Sequence, residues 1–186
     1  MANFFLNLLE TLGRKRVILD RESSEPYLTR YYLFLKDRKK FPFNVFLHQF
    51  LKSDPDDLHD HPWPYATLII KGGYWEWIPI FKQGAVEYDI YTGFNVTKDT
   101  NVIVGEQRVW RGPGHVRICK AKSYHRIEIE PGVDCWTIFM PGPQQRDWGF
   151  LTHRNRDWST FKWVQHEEYI EVKAFDNYIA SQEKKV

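Results

Sequence analysis

The chain has 186 residues, of which 17% are Phe, Trp or Tyr and 27% are charged, and its mean hydropathy is −0.55. That excludes a disordered polymer, which would be poor in aromatics, and a membrane-spanning helix, since no run approaches the ~18 apolar residues needed. The net charge of +2 is too balanced for a nucleic-acid-binding domain, where a strongly basic face is expected.

The length suits one domain, residues 1–186, able to bury a core that needs no disulfide staples. Cys119 and Cys135 make no disulfide framework and are expected as reduced thiols of a cytoplasmic protein. Met1–Leu6 has neither a leading positive charge nor a small-residue cleavage site, so it is not expected to act as a signal peptide.

In chain order, Phe4, Phe5, Leu8, Leu9 and Leu12 form an apolar stripe at helical spacing. This predicts a helix over about 3–13, with Asn3 as N-cap and Gly13 as stop, packed on the outside of the body. The basic runs Arg14-Lys15-Arg16 and Arg38-Lys39-Lys40 read as solvated turns. Nine of ten prolines lie between Pro42 and Pro143, and ten of eleven glycines between Gly72 and Gly149, which marks a turn-rich central body.

Within that body, Tyr27 to Lys36, Asn44 to Leu51, Ala66 to Ile70 and Tyr74 to Phe81 read as strands, the last two joined by a hairpin at Gly72-Gly73. Ala85 to Tyr91, Glu106 to Arg111, His115 to Cys119, Tyr124 to Glu130 and Asp134 to Met140 continue the pattern. Short strands with frequent turns predict a mainly β sandwich or small barrel over about 27–151. The flank 152–186 carries an apolar set, Tyr169, Ile170, Ala174, Phe175, Tyr178 and Ile179, that fits a second helix over His166 to Gln182.

The chemistry resides in the histidines. His59 and His61 sit at a strand entry behind the acidic turn around Asp54, and residues i and i+2 of a strand face the same way. The same pair would also suit loop histidines beside acidic groups. Pro62-Trp63-Pro64 then stiffens the backbone, and the intervening hairpins can return His125 to the pair. Three imidazoles with an open position make a catalytic metal site in principle, suited to Fe, Zn, Ni or Cu rather than Mg or Ca.

This arrangement resembles the cupin superfamily, small jelly-roll barrels with a metal in the mouth. Its first motif runs Gly, five residues, His-x-His, three or four residues, Glu, six residues, Gly. His59, His61 and Gly72 or Gly73 take their places in it, while Ser53 occupies the first glycine slot and Tyr65 or Ala66 the glutamate slot. In the second motif Gly114 and His125 fall correctly, but Lys120, Lys122 and Ile129 replace Pro, Gly and Asn. The resemblance implies a cupin double-stranded β-helix with short terminal helices. It also implies a divalent metal on His59, His61 and His125: Fe(II) first, with Zn, Ni or Mn as alternatives.

A three-histidine site without the glutamate is most similar to thiol dioxygenases of the cysteine dioxygenase type, which implies a mononuclear Fe(II) dioxygenase acting on a small polar or acidic molecule. The Ser-x-His-x-Tyr set those enzymes carry downstream does not follow His125, so neither a tyrosine–cysteine crosslink nor a cysteine substrate is inferred. A metal-dependent isomerase, epimerase or lyase and a non-catalytic ligand-binding cupin stay open.

If the histidine pair faces inward, Trp63, Tyr65 and Thr67 share its parity. Tyr65 and Thr67 are then candidate catalytic groups beside the metal, though a core tyrosine and a strand threonine fit the sequence equally. Arg111 and Arg126 are candidate substrate-binding groups for an acidic ligand, with internal salt bridges the default. Glu76 could stand in as a ligand or act as a base, but between Trp75 and Trp77 it is expected to point outward. Asp60 is expected at a strand edge or beside a ligating imidazole, His115 as a turn residue, and His48, His153 and His166 carry no spacing signal. Aromatic-rich edge strands predict a homodimer.

Overall fold

The computed structural model describes residues 2–20, 23–36, 41–54, 57–82, 85–88, 95–98, 102–152 and 162–166. Helix α1 (Ala2–Thr11) ends where expected. Gly13 turns the chain at φ 63° and its N–H bonds the Glu10 carbonyl at 2.8 Å, the left-handed stop glycine tolerates best. The helix starts one residue before Asn3, which therefore lies within it rather than capping it. It also meets the body through a narrower contact than its stripe suggests. Leu9, with Leu6 one turn earlier, packs on Tyr31, Leu47, Leu33 and Trp136, whereas Phe4, Phe5, Leu8 and Leu12 stay exposed. A short helix laid on a sheet touches it along one line of residues.

The strands are β1 (Lys15–Leu19), β2 (Pro26–Tyr32), β3 (Phe46–Phe50), β4 (Leu58–His59), β5 (Tyr65–Lys71), β6 (Tyr74–Lys82) and β7 (Ala85–Tyr88). After them come β8 (Asn95–Lys98), β9 (Val102–Arg111), β10 (Val116–Cys119), β11 (Arg126–Glu128), β12 (Cys135–Pro141), β13 (Gly149–Thr152) and β14 (Lys162–Gln165). A six-stranded antiparallel sheet has the order β1-β2-β3-β12-β5-β10, and three-stranded sheets have the orders β11-β6-β9 and β14-β13-β4. Strand β12 enters between β3 and β5, so distant segments become neighbours, as in a jelly roll. The ribbon β7-β8 stands as its own two-stranded sheet.

The core joins the two larger sheets. Leu28, Phe50, Ile69 and Cys135 of the six-stranded sheet pack with Tyr74 and Ile127 of the β11-β6-β9 sheet. Cys119 and Cys135 are buried and free, small apolar groups as expected.

The basic run Arg14-Lys15-Arg16 is not a turn. Lys15 and Arg16 belong to β1, in register with Tyr31 and Arg30. As the end strand of its sheet, β1 can carry outward charges that suit an unpaired edge. Strands β13 and β14 were not among the predicted strands: β13 lies at the end of the predicted body and β14 in the flank after it. Residues 38–40, and the proposed second helix after His166, lie outside the described residues. Among the described residues, no helix is long and apolar enough to cross a membrane.

The Gly72-Gly73 turn lies between β5 and β6 as predicted, but the two strands do not form a hairpin: β5 pairs with β12 and β10, β6 with β11 and β9, so the turn carries the chain from one sheet to the other. Gly72 takes φ 70°, and a Cβ there would stand 2.6 Å from the Asp134 carbonyl oxygen. Gly72→Ala is therefore expected to destabilise the fold by about 1–3 kcal/mol, read as a lower urea midpoint with an unchanged m-value.

Candidate metal centre

Two strand ends and one loop assemble the centre. His59 closes β4, opposite Phe150 of β13. On its other side it forms a β-bridge with His125, with N–H···O bonds of 2.9 and 3.0 Å in the two directions. This brings together residues 66 positions apart in the sequence. His61 follows two residues later, its N–H reaching the Ala121 carbonyl at 3.3 Å. The Pro62-Trp63-Pro64 segment is clamped in turn. The Pro62 carbonyl accepts from the Gln145 N–H and the Pro64 carbonyl from the Gly142 N–H, both at 2.7 Å.

The rings converge. His59, His61 and His125 each present a nitrogen, and these atoms all lie within 4.8 Å of one another. His61 Nε2 is 2.9 Å from His125 Nε2. Burial pushes the His61 pKa well below its ordinary value and that of His125 down to about 4, so both rings are neutral near pH 7. The His125 Nδ1 lies 2.9 Å from Glu76 Oε1. A carboxylate there accepts the Nδ1 proton and leaves the Nε2 lone pair aimed at the cluster. Two unprotonated imidazole nitrogens directed at one point, beside a third ring, are the donor set of a borderline divalent cation.

The position of Glu76 corrects the sequence reading. It points inward and is fully buried. Its Oε2 accepts from Arg111 Nε at 2.8 Å, and the Arg117 guanidinium lies against its other oxygen. The flanking tryptophans take the outer face because their indole N–H groups bond carboxylates there. Trp75 donates to Glu130 at 2.7 Å and Trp77 to Glu128 at 2.6 Å, while Arg108 lies 4.2 Å over Trp75. Strand alternation then turns Glu76 inward.

A cavity of about 440 Å³ opens beside the three histidines. Trp63, Tyr65 and Thr67, of the same parity as the histidine pair, all line it. The buried Tyr65 hydroxyl is 3.3 Å from His125 Nε2, and burial pushes its pKa well above the ordinary tyrosine value, so it is a phenol rather than a phenolate. Much of the remaining wall is aromatic: Phe50, Tyr74, Phe139, Trp148 and Phe150.

Arg111 and Arg126 do not line this cavity. Arg111 pairs with Glu76. Arg126 pairs with Glu106 at 3.6 Å and lies 4.9 Å over Trp77. The arginine of the wall is Arg30, which sequence reasoning passed over, together with His48. Arg30 Nε donates to His48 Nε2 at 2.9 Å, and cross-strand register sets Arg30, His48 and Thr137 side by side on the inner face of β2, β3 and β12. A sequence signal existed, since Phe46, His48 and Phe50 share one parity, and so do Leu28 and Arg30.

The other groups singled out in the sequence have structural partners. Asp60 is fully buried, accepts from the Gly149 N–H at 2.8 Å and pairs with Arg146 at 3.0 Å, so it ties β13 down. Asp54 accepts from the Ile127 N–H at 2.6 Å and from the Tyr27 hydroxyl, and lies 4.0 Å from His59 Nδ1. His115 sits in the turn before β10 and outside the cavity lining. His166 stacks on Trp148, 4.4 Å between centroids, and His153 lies outside the described residues.

A buried neutral histidine has a cost in acid. His48 is held well below its ordinary pKa, first by burial and then by Arg30. The unfolded chain, titrating near 6.5, then binds more protons than the folded one below that pH, so stability is lost as pH falls. The metal-free protein is expected to show a steadily falling urea midpoint from pH 7 to pH 5. His48→Gln, which has no titrating ring, is expected to lessen that slope, the remainder coming from His61 and His125.

Neither a family model nor a curated protein matches the sequence. Among solved structures, the chain is similar to the polyketide cyclase RemF from Streptomyces resistomycificus, at 13% identity and a TM-score of 0.51 over 78% of this chain and 84% of that one. A cupin-like protein from Thermotoga maritima is matched over the same shares at 12% identity and a TM-score of 0.39. The hydroxypropylphosphonic acid epoxidase from S. wedmorenis is matched at 10% identity and a TM-score of 0.41, over 70% of this chain and 56% of the epoxidase. The fold is a cupin jelly roll. At such identities the likeness extends to the fold and no further. On this fold His59, His61 and His125 stand together, and Tyr65 lines the cavity beside them.

Proposed function

We propose that His59, His61 and His125 hold one divalent metal, ferrous iron first, and that the protein is a mononuclear oxidoreductase of the dioxygenase type acting on a small polar or acidic molecule. The observation that carries this reading is the convergence of three imidazole nitrogens within 4.8 Å on the wall of an aromatic cavity. Bound iron would supply open coordination positions and one-electron chemistry toward dioxygen. Three uncharged ligands leave its charge unneutralised, so an anionic substrate group is favoured there.

The chain's own groups would serve that chemistry directly. Tyr65, protonated and 3.3 Å from His125 Nε2, is placed to donate a hydrogen bond to a ligand in the cluster. Thr67, on the same face of β5 and lining the cavity, offers a hydroxyl to the same space. The aromatic walls exclude bulk water. Arg30 replaces Arg111 and Arg126 as the substrate-facing cation, because those two are committed to Glu76 and Glu106. The likeness to three-histidine thiol dioxygenases is extended here to the ligand set and not to a thiol substrate.

Metal content tests the reading. Tag-free protein is expected to carry about one equivalent of metal per chain by mass spectrometry and to consume oxygen when iron-loaded and given a small organic acid. Absence of stoichiometric metal overturns it. A tightly held zinc with no oxygen uptake points instead to an isomerase, epimerase or lyase that uses the metal as a Lewis acid.

A further inference from the structure

The cavity has one cation without an anion. Elsewhere in the molecule Arg108 pairs with Glu128, Arg111 and Arg117 with Glu76, Arg126 with Glu106 and Arg146 with Asp60. No carboxylate among the described residues pairs with Arg30. His48 accepts from its Nε, the Phe46 ring lies 4.6 Å below the guanidinium, the Tyr32 hydroxyl is beside it, and Arg16, its partner across β1 and β2, is of like charge. The two acids in the wall are engaged elsewhere. Asp20 is held by Lys52 at 2.9 Å, and Asp54 by the Ile127 N–H and Tyr27. A desolvated cation without a counter-ion is costly, and burial lowers the Arg30 pKa accordingly. Nε is committed to His48 and a further hydrogen bond goes to the Tyr32 side chain; the other N–H groups of the five-donor guanidinium can meet a carboxylate.

The rest of the cavity has a different character. Leu28, Ile127, Phe50, Phe139, Phe150 and Trp148 give it apolar and aromatic sides, and its volume is about 440 Å³. That size lies at the lower end of pockets that enclose a drug-like molecule and is more than a two- or three-carbon acid would fill.

We infer that the cavity takes a monocarboxylate with an apolar, ring-sized body, its carboxylate on the Arg30 edge and its body against the Phe50, Phe139 and Phe150 rings. This rests on the function proposed above only for what happens to the ligand, since Arg30 and the aromatic walls are present without metal.

The test is calorimetric, with 3-phenylpropionate, 3-phenylpropan-1-ol and propionate as probes, on metal-free and on zinc-loaded protein. In metal-free protein 3-phenylpropionate is expected to bind about 10- to 100-fold tighter than the alcohol, the range of one charged hydrogen-bonded pair. Propionate is expected to bind more weakly than 3-phenylpropionate by a similar factor, because it leaves the aromatic walls unfilled. Arg30→Met is expected to abolish the preference for acid over alcohol. Arg30→Lys, which keeps the charge but not the fork, is expected to retain part of it. Equal affinity for acid and alcohol, or for propionate and 3-phenylpropionate, overturns the inference. The comparison in wild-type protein needs no variant to fold. A preference present without zinc, in a protein that takes up no metal, would sink the proposed function and leave this inference standing. Metal uptake without the preference would do the reverse.

Discussion

Glu76→Gln is expected to lower the stability of the metal-free protein by about 3–5 kcal/mol, the cost of breaking a buried ion pair on one side. The side chain is fully buried and is shared by Arg111, Arg117 and His125. Glutamine preserves its shape and one acceptor but leaves two guanidinium groups facing a neutral amide. The measurement is urea denaturation, and an unchanged midpoint would show that the three partners do not depend on the carboxylate. A second effect is read on the same variant. The carboxylate fixes the His125 proton on Nδ1, so its loss is expected to weaken zinc binding about 10- to 100-fold in a competition titration. Arg111→Met separates the two effects. It removes a salt bridge and its stability but leaves Glu76 Oε1 on His125, so it is expected to lower the urea midpoint with little change in zinc affinity.

His125→Ala is expected to drop the metal content from about one equivalent to below about a tenth, because two imidazoles alone do not make a closed or catalytic site. His59→Ala is expected to do the same. In wild type, saturating metal at about a hundred times Kd raises stability by about 2.7 kcal/mol. Neither variant is expected to show any metal-dependent rise in thermal midpoint. Differential scanning fluorimetry with and without zinc reads this directly. A full rise in His125→Ala would remove His125 from the ligand set.

The strand pattern was visible in the sequence because each strand has one wet face and one dry one. Ala66 to Ile70 and Tyr74 to Phe81 about a glycine pair define β5 and β6 within a residue or two. The histidine pair was legible from its spacing, although the strand premise holds only for His59, which ends β4, while His61 follows in the loop. Spacing of two placed His59 and His61 on one side, and hairpin arithmetic brought His125 back to them. Strand β1 was hidden because an edge strand is allowed to look like a charged loop. The short β4 and β13 were hidden because two to four residues are too few to establish a period.

Glu76 and Arg30 show where local pattern reading stops. A carboxylate between two tryptophans looks outward when hydrophobicity alone is considered. It lies inward because Glu128 and Glu130, from the adjacent β11 and just after it, hold the indole N–H groups outside. Arg30 resembles any charged residue of an alternating strand, and only its pairing with His48, under the Thr137 of β12, shows that it faces the cavity. In both cases the deciding partner lies on another strand, tens of residues away.

The sequence by itself determined the fold class, the turns that glycine and proline impose and the His59–His61 pair, because each depends on periodicity or spacing within a short window, while His125 was reached only by expecting later strands to return to the first. Tertiary structure alone decided which charges are paired and that Arg30 lines the cavity with no carboxylate pairing it among the described residues. Charge pairing depends on which strands become neighbours across the jelly roll, and that is settled by the packing of two sheets on a shared core rather than by any local run of residues.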